Sequence, residues 1–496
     1  MKRLKKLIGI ILVIVINITL ISGCAISENS DESFKFTVPS TEETTQAVEA
    51  TTLEIEIPKY VFLFIGDGMG YPQLQTTCYS LGRDELLTFM TFPNVGTMTT
   101  HNSESAITDS ASAITAMLTG HKTSHGTLNM NEKGDKTYTT IAEYLKKELE
   151  YKIGVITTAS LNHATPAGVY AHQNSRKNYY QIGKNLIDSG FDFFAGGGFT
   201  DSKGKNGGNT SLYTLAKDAG YTIVKSRKQC EALSKEAGKT IMLSENRVDE
   251  EYMPYDMDLE DGELSLSDYV SKGIELLDNE KGFFMLVEGA KIDLANHEND
   301  AATMVRETMA FSESVDTAIE FYNEHPEDTL IIVTADHESG GLSVGYAETK
   351  YKMNLDILLK QKISFSRFKS DYIESYKRGN ITFDDILEDI EELYGLVPDE
   401  NELKQLKSAY IRSLQVGAMS ASNMTDEEYV KYGTYEPFSI ILSRIMNHRA
   451  GVDYTTYSHT GMQVPVYALG NGSENFSGSY DNTDVFKKLY DIMELK

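Results

Sequence analysis

The chain has 496 residues, 41% of them hydrophobic, and 73 Asp and Glu against 46 Lys and Arg give it a formal net charge of −27. Such a balance argues against binding to nucleic-acid backbones or to anionic lipid, and the length suits one large domain plus an insertion. Only three cysteines are present, Cys24, Cys78 and Cys230, too few for a disulfide framework, and whether the last two pair is left open.

At the amino terminus Lys2, Arg3, Lys5 and Lys6 precede an apolar stretch from Leu7 to Ile21, followed by Ser22, Gly23 and Cys24. A positive segment, a short apolar segment and small residues predict a signal peptide over 1–23. A membrane span normally needs about 20 apolar residues, and Asn17 interrupts this run. Ile21-Ser22-Gly23-Cys24 resembles the bacterial lipoprotein box, which implies lipidation of Cys24, a lipid-anchored protein outside the cytoplasm and membrane contact through that anchor; plain secretion is the alternative. Loss of residues 1–23 removes four basic residues and no acidic one, leaving a charge of −31. Residues 24–56 are rich in Ser, Thr and Glu and predict a disordered tether.

The catalytic region is predicted over 57–496. Four apolar, β-branched runs read as buried parallel strands: Lys59–Ile65, Lys152–Thr157, Phe283–Val287 and Thr329–Val333. Between them, Tyr138–Glu150, Leu264–Asn279 and Ala302–Asn323 have helical patterns. Alternation of this kind predicts an α/β fold, a doubly wound and mostly parallel sheet flanked by helices, with ligands beyond the carboxyl ends of the strands. From about 350 to 448, amphipathic patterns over Ile381–Tyr394 and Asn401–Leu414, punctuated by Pro398, predict a helical insertion. Its acidic run Leu387–Glu392 reads as a solvated helix face rather than a calcium site, because EF-hand spacing is missing.

Candidate metal ligands cluster after those strands. Asp67 sits between Gly66 and Gly68; Glu288 follows a buried strand, where a carboxylate is costly unless paired or coordinated. Asp293 and His297 are spaced i, i+4 and would face one metal from one helical turn. Asp336 and His337 follow the fourth strand, and His459 lies near the carboxyl terminus. Singly, Asp67 reads as a turn residue, Asp293 and His297 as a surface pair and His459 as a loop histidine. Their recurrence at strand ends favours a metal centre. Ser110, in Ile107-Thr108-Asp109-Ser110-Ala111, is the candidate nucleophile, since a divalent cation can lower the pKa of a serine hydroxyl and supply the alkoxide without a histidine base.

Together these segments resemble the alkaline phosphatase family. The resemblance rests on Gly66–Gly70, Thr108–Ala111, His163–Pro166 with Arg176 downstream, Val287–His297, Thr334–His337 and His459–Gly461, and covers about 58–350 and 450–496. Phe194–Phe199 is similar to a family loop but lacks the Lys-Ser/Thr ending of a phosphate-cradling loop. By resemblance, Asp293, His297 and His459 hold one zinc, and Asp67, Asp336 and His337 hold a second. Asp67, Thr165 and Glu288 hold a magnesium, with His163 beside it.

The implied reaction is hydrolysis of small phosphate monoesters through a phosphoserine at Ser110, with Arg176 clamping two phosphate oxygens. A surface arginine is the alternative for Arg176. His163 stands where many bacterial members carry aspartate, which leaves the third ion open, since imidazole suits zinc better than magnesium. Leu294 replaces a polar or aromatic residue that often approaches the phosphate. A homodimer is also left open. Alternatives are a phosphodiesterase or sulfatase of the same superfamily, or a non-catalytic surface binding protein on this fold. The Asp-Ser-Ala segment and the retained ligand set argue against them.

Overall fold

Tyr60–Gly66 (β1), the first of the apolar runs, is buried at every position and lies near the middle of a ten-stranded sheet. The structure, a computed structural model, describes residues 57–248, 251–379, 381–415 and 424–496. The expected signal peptide, Cys24 and the tether lie outside the described residues.

In chain order the remaining strands are Asn94–Thr99 (β2), Lys152–Thr157 (β3), Phe193–Gly196 (β4), Thr222–Val224 (β5), Thr240–Leu243 (β6), Phe283–Gly289 (β7) and Thr329–Thr334 (β8). Glu338–Ser339 (β9), Leu342–Val344 (β10), Val452–Tyr454 (β11) and His459–Thr460 (β12) are short; Val464–Gly470 (β13) and Gly478–Asp481 (β14) follow. The large sheet runs β14-β2-β13-β8-β1-β7-β3-β4-β6-β5. All pairs are parallel except those of β13 with β2 and β8. The expected doubly wound, mostly parallel sheet is therefore present.

Helices cover the sheet because their apolar faces have no other place to go. Phe62 meets Phe283 edge to face at 5.2 Å, and Phe64 meets Phe311 of the helix Ala301–Glu324 at 6.0 Å. Burial of each such ring contributes about 1.5–3 kcal/mol. Helix starts follow their capping residues. Thr140 with Glu143 and Ser265 with Asp268 form capping boxes that open Ile141–Glu148 and Leu266–Leu277. These two helices lie within the ranges predicted for them, and Ala301–Glu324 exceeds its predicted range by one residue at each end.

Strand register places the site. Ile65 is aligned with Glu288 on one side and Thr334 on the other, and Thr157 is aligned with Glu288. The carboxyl ends of β1, β3, β7 and β8 thus form one edge, and Asp67 and Asp336 emerge from it. Two small antiparallel ribbons complete this edge: β12 pairs with β9, and β10 with β11. The second ribbon closes the base of the insertion, so the chain leaves and returns at one place. Within the insertion lie the helices Phe383–Tyr394, Glu400–Gln415, Asp426–Tyr432 and Pro437–Ala450. Cys78 and Cys230 are free buried thiols, so they do not pair. No helix among the described residues is long and apolar enough to cross a membrane.

Candidate active site

Ser110 is the first residue of the helix Ser110–Thr119, and Asp109 is its cap. The Asp109 carboxylate accepts from the Ser112 amide at 3.2 Å and the Ser112 hydroxyl at 2.6 Å. Its other oxygen accepts from Arg176 Nη1 at 3.1 Å. Burial pushes the Asp109 carboxyl up, but Arg176 together with the hydrogen bonds from Ser112 and Gly126 outweighs that and holds it well below the usual range. The helix amino terminus, with its free amides and partial positive charge, favours an anion at Ser110. Ser110 Oγ lies 3.4 Å from His337 Nε2.

Around that imidazole two groups of ligand-type atoms gather. In each of Asp67, Asp336, His337 and Asp293, His337, His459 the atoms lie within 4.8 Å of one another. His297 joins the second group, with Nε2 3.1 Å from Asp293 Oδ2 and 3.2 Å from His459 Nε2. His337 thus lies within reach of both groups of atoms.

Hydrogen-bond partners fix two of the ring tautomers. His297 Nδ1 meets the Tyr457 carbonyl at 2.6 Å and His459 Nδ1 meets the Thr108 carbonyl at 2.8 Å. A carbonyl only accepts, so both Nδ1 atoms donate and both Nε2 atoms turn toward Asp293. The local chain is shaped for this crowding. Gly68 has φ 70°, and a Cβ there would stand 2.9 Å from Asp293 Oδ1.

Electrostatics of the cluster are those of a site built around cations. Burial, then the charges of Asp336, Asp293 and Glu288, raise the Asp67 carboxyl well above its ordinary value. Burial and Asp293 push Asp336 up to about 8, and burial pushes Glu288 up to about 7. Asp293 goes the other way: burial raises it, but His297 and His459 prevail and hold it well below. Asp67 Oδ1, Asp336 Oδ2, Asp293 Oδ1, Glu288 Oε1 and Thr165 Oγ1 are buried without a hydrogen-bond partner. Orphaned buried oxygens of this kind cost about 1–3 kcal/mol each. Divalent cations satisfy them and let all the carboxylates ionise, so the residues fit the metals that the sequence suggests.

His163 and Arg176 meet at one edge of the centre. Arg176 Nη2 lies 3.2 Å from His163 Nε2. Guanidinium has no acceptor, so this Nε2 accepts and Nδ1 carries the proton. Burial, then Arg176, lowers the His163 pKa to about 3, which keeps the ring neutral. Glu288 Oε2 accepts from Thr157 Oγ1. In the Phe194–Phe199 loop, the Gly197 amide donates to Ala159 O at 2.9 Å and the Gly198 amide to Glu251 O at 2.6 Å, so both are occupied. Leu294 is half-buried against the core.

Residues 58–495 match the family model for alkaline phosphatase. The chain belongs to the alkaline phosphatase family. It is thus an enzyme of a metal-dependent family, a phosphoric monoester hydrolase. Among similar proteins, alkaline phosphatase 3 of Bacillus subtilis is 30% identical over 88% of this chain and 89% of its own length. Alkaline phosphatase of Schizosaccharomyces pombe is 28% identical over 88% of this chain and 81% of its own. In fold, the chain is similar to the cold-active alkaline phosphatase of a psychrophilic Shewanella, with a TM-score of 0.73 and 28% identity, covering 88% of this chain and 99% of that one.

Two parts of this alkaline phosphatase site escape sequence reasoning. Asp109, the cap and Arg176 partner, has only its place before Ser110 as a signal. The second part is a buried layer behind the histidines. Gln73 Nε2 donates to Glu338 Oε1 at 2.8 Å and to Ser339 O at 2.7 Å, and lies 3.4 Å from Asn296 Oδ1. Thr460 Oγ1 donates to the other Glu338 oxygen. Asn296, Glu338 and Thr460 are each the chain neighbour of a site histidine, and in the extended β9 and β12 neighbouring side chains face opposite ways. Glu338→Gln replaces an accepting oxygen by a donor that faces Gln73 or Thr460. It should lower stability by about 1–3 kcal/mol, read from the urea midpoint. An unchanged midpoint would show that this layer bears no load.

Proposed function

We propose that the chain hydrolyses phosphate monoesters through a phosphoserine at Ser110. The observation that carries this reading is the place of Ser110 Oγ: at a helix amino terminus, 3.4 Å from a histidine that two carboxylate and imidazole clusters share. Asp293, His297 and His459 would hold one zinc, Asp67, Asp336 and His337 a second, and Asp67, Thr165 and Glu288 a magnesium. When bound, these ions supply Lewis-acid charge that lowers the serine pKa and stabilises the leaving oxygen.

The side chains do the rest. Ser110 Oγ attacks phosphorus, forming the Oγ–P bond as the bond to the leaving oxygen breaks, and the alcohol departs with a proton. Arg176, aimed by Asp109, presents its planar fork to the phosphate oxygens. Free amides at the start of the helix Ser110–Thr119 add to that anion site. Water then attacks the phosphoserine, the Oγ–P bond breaks, and Ser110 regains its proton as inorganic phosphate leaves. Side-by-side rates on a phosphate monoester, a phosphodiester and a sulfate ester test the reading. The monoester should be favoured by orders of magnitude; preference for either other ester, or no turnover at all, would refute it.

The same proposal places the enzyme outside the cytoplasm, on a tether whose Cys24 is lipidated. Support comes from the Ile21–Cys24 box and the Ser, Thr and Glu content of 24–56. Cys24→Ala, expressed in a bacterial host fed a labelled fatty acid, should lose the label and accumulate unprocessed precursor. Label that persists would mean that another residue carries the lipid.

A further inference from the structure

We propose that the helical insertion is a brace for His297, acting through Tyr457, and that Tyr457 and Arg444 are positioning residues for the metal held by Asp293, His297 and His459. This rests on the reading of His297 as a ligand given above. With its Nε2 edge facing Asp293 and His459, the His297 ring is oriented at the opposite edge by the hydrogen bond from Nδ1 to the Tyr457 carbonyl at 2.6 Å. That carbonyl is as well placed as the Tyr457 residue that bears it, and Tyr457 is held from the insertion side.

Arg444, on the helix Pro437–Ala450, donates from Nη2 to the Tyr457 hydroxyl at 2.9 Å. Tyr429 and Tyr435 pack against the Tyr457 ring at 6.2 and 5.9 Å. Gly433 comes so close that a Cβ there would stand 2.9 Å from the ring. The same helix grips the other flank of His297. Asn447 Nδ2 donates to Asn299 O at 2.8 Å, and Asn299 Nδ2 donates to Thr456 O at 3.1 Å, beside Tyr457. Two independent lines therefore run from one insertion helix to the segment that orients His297. An outer-shell partner of a ligating histidine fixes its tautomer and ring plane, and its loss typically weakens metal binding about 10–100-fold.

Tyr457→Phe keeps the ring and its aromatic neighbours while removing the bond from Arg444; Arg444→Met keeps the stem and removes the donor. Zinc retained per chain, measured by elemental analysis against rising chelator, gives a readout that needs no turnover. Wild type should release two zinc ions in two steps. In both variants one step should move to lower chelator, by less than the about 10–100-fold that loss of the carbonyl partner itself would cost, while the other stays in place, and Arg444→Lys, which can still donate to the Tyr457 hydroxyl, should recover part of the shift. Release curves that superimpose on wild type would overturn the brace, as would equal loosening of both ions, which is the mark of general destabilisation. A wild type that holds no zinc would instead overturn the metal centre itself, which separates that failure from failure of the brace.

Discussion

Ser110→Ala should lower monoester turnover by roughly three orders of magnitude or more, because the residue that forms and breaks the covalent bond to phosphorus is gone. Folding should hardly change. Alanine is the best helix former, Asp109 still caps the helix, and the side chain lost is a single hydroxyl. Metal content should also stay at the wild-type level, since Ser110 is in neither ligand cluster. Steady-state rates, a melting curve and elemental analysis check the three statements together. Turnover within tenfold of wild type would remove Ser110 from the chemistry.

A second large effect is expected at the shared imidazole and its neighbour. Asp336→Asn should cost one metal ion per chain and most of the activity. His337→Ala, which empties the position between both clusters, should cost at least as much. His325→Ala, at the end of the helix Ala301–Glu324, should leave metal content unchanged. Stability of the metal-free protein adds a check with the opposite sign. Burial and Asp293 raise Asp336 to about 8 when folded, against roughly 4 in an unfolded chain. Between those values the folded state binds the extra proton, so the metal-free wild type should lose stability as pH rises from about 4 toward 8. Asp336→Asn removes that group. Its metal-free melting temperature should therefore fall less over the same window, and an equal fall in both proteins would contradict the buried charge repulsion.

How much of this was legible in the sequence depended on the kind of signal. The four central strands carry continuous apolar runs because they are buried on both faces, and β1, β3, β7 and β8 coincide with the segments read from pattern. By contrast, β2 buries only two of its six residues, Gly96 and Met98, so its pattern is too weak to stand out. The antiparallel direction of β13 is hidden for a different reason: direction is a property of the pairing of Val466 with Thr334, which no local run encodes. Ligand-type side chains were legible because carboxylates and histidines at strand ends are chemically unusual. Asp109, Gln73 and Glu338 look ordinary in sequence, and only folding shows whom they serve. The approach of His337 to the Asp293 cluster likewise depends on the β9 and β12 ribbon that brings His459 alongside. The insertion was visible as amphipathic helices, but its hold on Tyr457 arises between residues far apart in the chain.

The central claim is a covalent phosphoserine at Ser110, and the most direct measurement is to find it. Enzyme quenched with acid during turnover of a monoester, digested and mapped by mass spectrometry should carry one phosphoryl group on the peptide containing Ser110, with fragmentation placing it on that residue. The same experiment on Ser110→Ala should yield no phosphopeptide. A phosphoryl group on another residue, or its persistence in Ser110→Ala, would contradict the account.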